Sequence, residues 1–214
     1  MAMIQEKERK QLDVIMSVLK NEVKIINFSQ EFECNICKMT RELFEEVAGL
    51  SDKISIEVRD FVKDSDIVKQ YGIDKIPATV LLGDRDYGIR FYGVPAGYEF
   101  TTIIEDILLL SSRNTGLSAD VLTQLGKVDK PVHIQVMIYP TCPYCALAVR
   151  MAHRFAFAND HIVSDMVELT EFPHLALKYH VHGVPKIVIN ETIFIDGLPT
   201  EADFVRDVLR SAGK

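Results

Sequence analysis

A displacement of 108 residues maps this chain onto itself. It carries Cys34 onto Cys142, Tyr71 onto Tyr179 and Pro77 onto Pro185 (142 − 34, 179 − 71 and 185 − 77). Landmarks that share one offset predict two related structural units, since self-similarity at a fixed period marks a repeated supersecondary pattern. Further on, "YGVPAGYEF" (Gly93, Pro95, Phe100) matches "IDGLPTEADF" (Gly197, Pro199, Phe204) at an offset of 104 (197 − 93). The second unit is therefore shorter by four residues, most simply within a hairpin. The Ser, Asn and Gly cluster "SSRNTGLS", residues 111–118, reads as a linker and divides the chain into units at 1–114 and 115–214. With 214 residues, 48% of them hydrophobic, two units of about 100 residues can each bury a core.

Both units follow one order. The β-branched runs "VKIINF" and "HIQVMIY" read as buried strands, and each leads through a C-x-x-C pair into a helical pattern. That pattern is Leu43, Phe44, Val47 and Leu50 in one unit and Leu147, Val149, Met151 and Phe155 in the other. Strands "KISIEVRDF" and "HIVSDMVEL" come next, then a short helix ending at Tyr71 or Tyr179 and an apolar-Pro turn. Hairpins follow, from "ATVLL" with "YGIRFY" and from "KIVIN" with "TIFID". A last helix closes each unit, the second with Thr200 as N-cap and Asp203 three residues on. Amphipathic stretches "KERKQLDVIMSVLK" and "SADVLTQLGK" lead into the first strands. This pattern predicts an α/β fold, each unit a mixed central sheet flanked by helices.

All four cysteines lie in the two pairs, Cys34 with Cys37 and Cys142 with Cys145. A structural staple would link distant segments, so the readings left are a four-thiolate zinc site and electron exchange. Zinc would need both helix starts to converge, or His180 and His182 as added ligands. Exchange needs a thiolate and a second thiol within reach, which a strand-to-helix turn supplies. The first cysteine lies where free N–H groups and the helix dipole favour an anion, and the second falls one turn inside. Pro143 suits the first helical position, so Cys142 reads as the nucleophile and Cys145 as the resolving thiol. Tyr144 between them reads as an exposed ring that shapes a substrate or glutathione surface, and His182 reads as a solvated loop residue, the alternative being that its protonated form favours the Cys142 thiolate. Glu31 and Glu33 beside Cys34 oppose a thiolate there, with Lys38 partly compensating.

The residues "TCPYC" and "HGVP" in unit two and "ECNIC" and "DKIP" in unit one resemble the thioredoxin fold carried twice. Together they resemble the protein disulfide oxidoreductases, or glutaredoxin-like proteins, of thermophilic archaea and bacteria. That resemblance gives Cys34 and Cys37 the same roles as Cys142 and Cys145. It makes the bonds before Pro77 and Pro185 cis, with each proline against its cysteine pair, and it pairs the backbone of Ile76 and Val184 with an extended substrate. It implies protein disulfides as substrates, no bound organic cofactor or metal, and electrons from a thioredoxin-reductase-like flavoprotein or from glutathione. In the two-unit shuttle of bacterial peroxide-reducing systems the first unit lacks its cysteines, so the presence of Cys34 and Cys37 favours the broader oxidoreductase over a dedicated electron carrier. The carboxylate that usually precedes the motif is replaced by Asn27 and Gln135, which leaves the proton acceptor open. A redox-inert zinc or interaction protein is the alternative of another class.

Charge and hydropathy exclude other partners. With 24 basic and 31 acidic residues, a net charge of −7 and no basic stripe, nucleic acid is not expected. No apolar run reaches about 18 residues and no signal-peptide pattern opens the chain, so a cytoplasmic protein with no membrane partner is expected.

Overall fold

The computed structural model describes residues 3–214, so the first two residues of the expected 1–114 unit lie outside the described part. The first repeat contains α1 (Glu6–Met16), β1 (Val23–Ser29), α2 (Cys37–Ala48), β2 (Ile54–Asp60), α3 (Ser65–Gln70), β3 (Ala78–Leu82), β4 (Asp86–Tyr92) and α4 (Tyr98–Ser112). The second contains α5 (Ala119–Leu125), β5 (Val132–Ile138), α6 (Pro143–Ala158), β6 (Ile162–Glu168), α7 (Pro173–Lys178), β7 (Lys186–Ile189), β8 (Ile193–Asp196) and α8 (Glu201–Ser211). The four residues missing from the second repeat are lost from its hairpin, where strands of five and seven residues become two of four. Thr200 caps α8, its side chain accepting from the Asp203 N–H at 3.2 Å.

The two sheets join into one of eight strands, in the order β2-β1-β3-β4-β6-β5-β7-β8. The seam is the parallel pairing of β4 with β6, from Ile89 opposite Ser164 to Tyr92 opposite Val167. This pairing explains why Ile89 to Tyr92 are buried on both faces of the strand, whereas β8 is a true edge and half exposed. Since β1, β4, β6 and β5 all run parallel, the C-terminal ends of β1 and β5, which lead into the cysteine pairs, lie at the same end of the sheet.

One face carries α1, α2, α4, α5, α6 and α8 over a single apolar cluster that includes Phe44, Phe91, Phe155 and Phe204. The other carries α3 and α7 over a smaller cluster around Phe28, Val80, Tyr92 and Val188. Across the seam α4 packs alongside α6, tied by the ion pair of Glu105 with Arg150 and by buried Asp106, 2.6 Å from His153 Nδ1.

Two expectations need correction. The linker begins only after Ser112, because Ser111 is buried and its Oγ accepts from the N–H groups of Lys20 (2.7 Å) and Asn21 (2.9 Å), which holds the end of α4 in place. Leu147 lies outside the buried stripe of α6, which runs through Cys145, Ala148, Val149, Ala152 and Phe155, and is exposed.

Candidate active site

Both cysteine pairs are closed as disulfides, Cys34–Cys37 and Cys142–Cys145. In each pair the first residue is partly exposed and the second buried, Cys37 at 1% and Cys145 at 0%. The outer sulfur can thus meet a partner while the inner one is shielded.

The helix starts differ. Cys142 is the N-cap of α6, Pro143 occupies the first turn, and Cys142 Sγ accepts from the Cys145 N–H at 3.2 Å. Its sulfur therefore faces the free N–H groups and the positive end of the helix dipole. The same placement does not hold for Cys34. The first unit has no proline after its first cysteine, Glu33 is left-handed at φ 59°, and α2 begins only at Cys37 with Ile36 as N-cap and no side-chain cap. Glu31, Phe32 and Glu33 are exposed around it, and Lys38 pairs with Glu42 at 3.7 Å.

The peptide bonds Ile76–Pro77 and Val184–Pro185 are both cis. Cys142 Sγ lies 3.7 Å from the Val184 carbonyl oxygen, which brings the Val184–Pro185 turn against the second pair. Ile76 is half-buried and Pro77 buried at the head of β3. Tyr144 is 63% exposed beside the second disulfide. His180 and His182 are exposed, and among the described residues no three His, Cys, Asp or Glu side chains gather in a metal-binding cluster.

Asn27 and Gln135 hold matched positions inside the two units. Asn27 Nδ2 donates to Thr79 Oγ1 at 2.9 Å, and Gln135 Oε1 accepts from the Tyr179 hydroxyl at 3.1 Å. Neither can take a proton as a carboxylate would. The residue missed by sequence reasoning is Glu99, in the first turn of α4 and fully buried. Thr102 Oγ1 donates to its Oε2 at 2.9 Å, and its Oε1 has no partner. Burial raises this carboxyl to about 7, with the Thr102 hydrogen bond and His153 opposing the rise. The Tyr98 N–H donates to the Pro140 carbonyl at 3.2 Å, and Glu105 meets Arg150 further along. That register sets Glu99 beside the first turns of α6, where Cys145 lies.

Comparison with known proteins bears on this arrangement. A thioredoxin-domain family profile matches residues 132–210. The chain is similar to the crystal structure of a protein disulfide oxidoreductase from Aeropyrum pernix K1, 31% identical, with a TM-score of 0.92 and coverage of 98% of this chain and 94% of that one. It is similar also to the NTD_N/C domain of alkylhydroperoxide reductase AhpF from Enterococcus faecalis, 26% identical, with a TM-score of 0.89 and coverage of 95% and 99%. Among curated proteins, an NADH dehydrogenase of Bacillus subtilis is 23% identical over 190 residues, which are 89% of this chain and 35% of that protein. An alkyl hydroperoxide reductase component of Pseudomonas aeruginosa is 25% identical over 157 residues, 72% of this chain and 28% of that protein. The chain thus spans about a third of the length of these curated relatives. No helix among the described residues is long and apolar enough to cross a membrane.

Proposed function

This chain belongs to the family of protein disulfide oxidoreductases built from two thioredoxin-fold units, and from that membership we propose that it exchanges electrons with disulfides of polypeptide substrates, chiefly through Cys142 and Cys145. We assign the units to residues 1–114 and 115–214. The observation that carries the reading is the placement of Cys142 as the N-cap of α6, with its sulfur held by the Cys145 N–H and next to the Val184 carbonyl.

In the reducing direction the Cys142 thiolate attacks a substrate disulfide, forms a mixed disulfide and releases one substrate thiolate. The backbone of Val184, beside cis Pro185, aligns the extended substrate. Buried Cys145 then loses its proton, attacks the Cys142 sulfur and closes the Cys142–Cys145 disulfide as the second substrate thiolate leaves. One substrate disulfide and two enzyme thiols become two substrate thiols and one enzyme disulfide. Glu99 is the proton acceptor that this step requires, since a carboxyl near pH 7 can take a proton from Cys145 and return it in the reverse direction. Cys34 and Cys37, with Ile76 and Pro77, form a second centre of the same kind, and Tyr144 contributes to the substrate surface. Because Cys34 precedes the N-cap of α2 instead of capping it, and Glu31 and Glu33 stand beside it, its thiolate is less favoured. A thioredoxin-reductase-like flavoprotein is the expected electron donor.

The likeness to alkylhydroperoxide reductase AhpF favours a second reading, in which the chain is an electron carrier to a peroxide-reducing partner. Insulin reduction at catalytic amounts with dithiothreitol supports the first reading. Failure to reduce insulin, with rapid transfer to a peroxiredoxin, supports the second.

A further inference from the structure

The connection from β4 to α4, residues 93–97, belongs to the first unit but is fastened to the second at both ends. The Val94 N–H donates to the Glu171 carboxylate, 3.2 Å from each oxygen, and the Tyr98 N–H donates to Pro140 O, two residues before Cys142. Gly97 stands at φ 61°, and a Cβ there would lie 2.3 Å from Pro140 O, so only glycine lets the connection close on the cysteine turn. Ala96, like Cys142, packs against the buried cluster that contains Cys145. The matching connection of the second unit makes no such closure: Gly197 faces open space and Leu198 is exposed.

This wall ends in Tyr98, the first residue of α4, which is 52% exposed although its backbone is bonded to the cysteine turn. Since α4 and α6 run side by side in the same direction, Tyr98 and Tyr144 stand at the sulfur end of the helix pair, one from each unit. Neither ring is needed to fill the core. Rings on rigid helix starts offer large contact area at a small entropic cost, which is why tyrosine recurs at recognition surfaces.

We propose that Tyr98 is a specificity-determining residue of the second centre, its ring and that of Tyr144 taking an apolar side chain next to the disulfide of a polypeptide substrate. The first unit thereby supplies part of the substrate surface for the second unit's cysteines. This rests on the exchange reading above.

The test uses the full chain with Cys34, Cys37 and Cys145 replaced by serine, so that Cys142 is the one thiol. Its rate is measured with a disulfide peptide bearing phenylalanine beside the cystine, with the same peptide bearing glycine there, and with iodoacetamide. Tyr98→Ala should lower the phenylalanine-peptide rate about five-fold relative to iodoacetamide and erase the preference over glycine, while Tyr98→Phe keeps both. An undiminished preference in Tyr98→Ala overturns the proposal, as does an equal loss with all three reagents, which would make the ring a support for the turn. A parent that reacts with iodoacetamide but with neither peptide overturns the exchange reading itself.

Discussion

Replacing Glu99 by glutamine should remove a pH-dependent loss of stability while impairing the protein's chemistry. The carboxyl titrates near 7 in the fold against an ordinary 4.5. Between those values the folded state holds a proton that the unfolded chain has released, so stability falls as pH rises from 4.5 and the loss is complete above 7. At about 1.36 kcal/mol per pH unit, a displacement of about 2.5 units costs about 3 kcal/mol. Glutamine keeps an oxygen to accept from Thr102 and cannot ionise. Denaturant unfolding of both proteins with disulfides intact should show their stability difference shifting by about 3 kcal/mol in favour of Glu99→Gln between pH 4.5 and pH 8. Parallel stability curves across that range would refute the buried, titrating carboxylate, and with it the proposed proton acceptor.

Other outcomes follow from the same geometry. Cys145→Ser should accumulate a mixed disulfide with substrate through Cys142, detected by mass spectrometry, and Cys142→Ser should not; the reverse pattern would exchange their roles. Gly97→Ala should cost about 2 kcal/mol or more by its left-handed backbone and its clash with Pro140, and should change the alkylation of Cys142 without changing that of Cys34. Asp106→Ala leaves the His153 imidazole buried without its 2.6 Å partner, and a loss of about 1–3 kcal/mol is expected in denaturant unfolding.

Much of this molecule is legible in its sequence because the repeat is. Cys34, Tyr71 and Pro77 recur in register, so one unit's order of elements predicts the other's, and the resemblance of "TCPYC" and "HGVP" supplies the cis prolines that hydropathy cannot. The union of the two sheets is harder to read, because pairing between edge strands is set by backbone hydrogen bonds with no local signature. Even "YGIRFY" hides it, since Tyr87, Ile89 and Phe91 alternate with Gly88, Arg90 and Tyr92 as an edge strand would, although all six are buried. Glu99 looks like an ordinary acidic residue in the first turn of a helix, where it complements the dipole. Only the packing of α4 on α6 buries it. The late start of α2 has a sequence trace as well, the absence of any proline after Cys34.

The central claim is that the second centre carries most of the exchange, and single cysteine replacements assayed side by side test it most directly. Cys34→Ser and Cys142→Ser are compared in insulin reduction, together with the pH midpoint for alkylation of each remaining nucleophile in the reduced protein. The helix-capped sulfur predicts that Cys142→Ser loses most of the activity, that Cys34→Ser keeps most of it, and that Cys142 is alkylated at the lower pH. Equal losses with equal midpoints would contradict the account and make the two centres interchangeable.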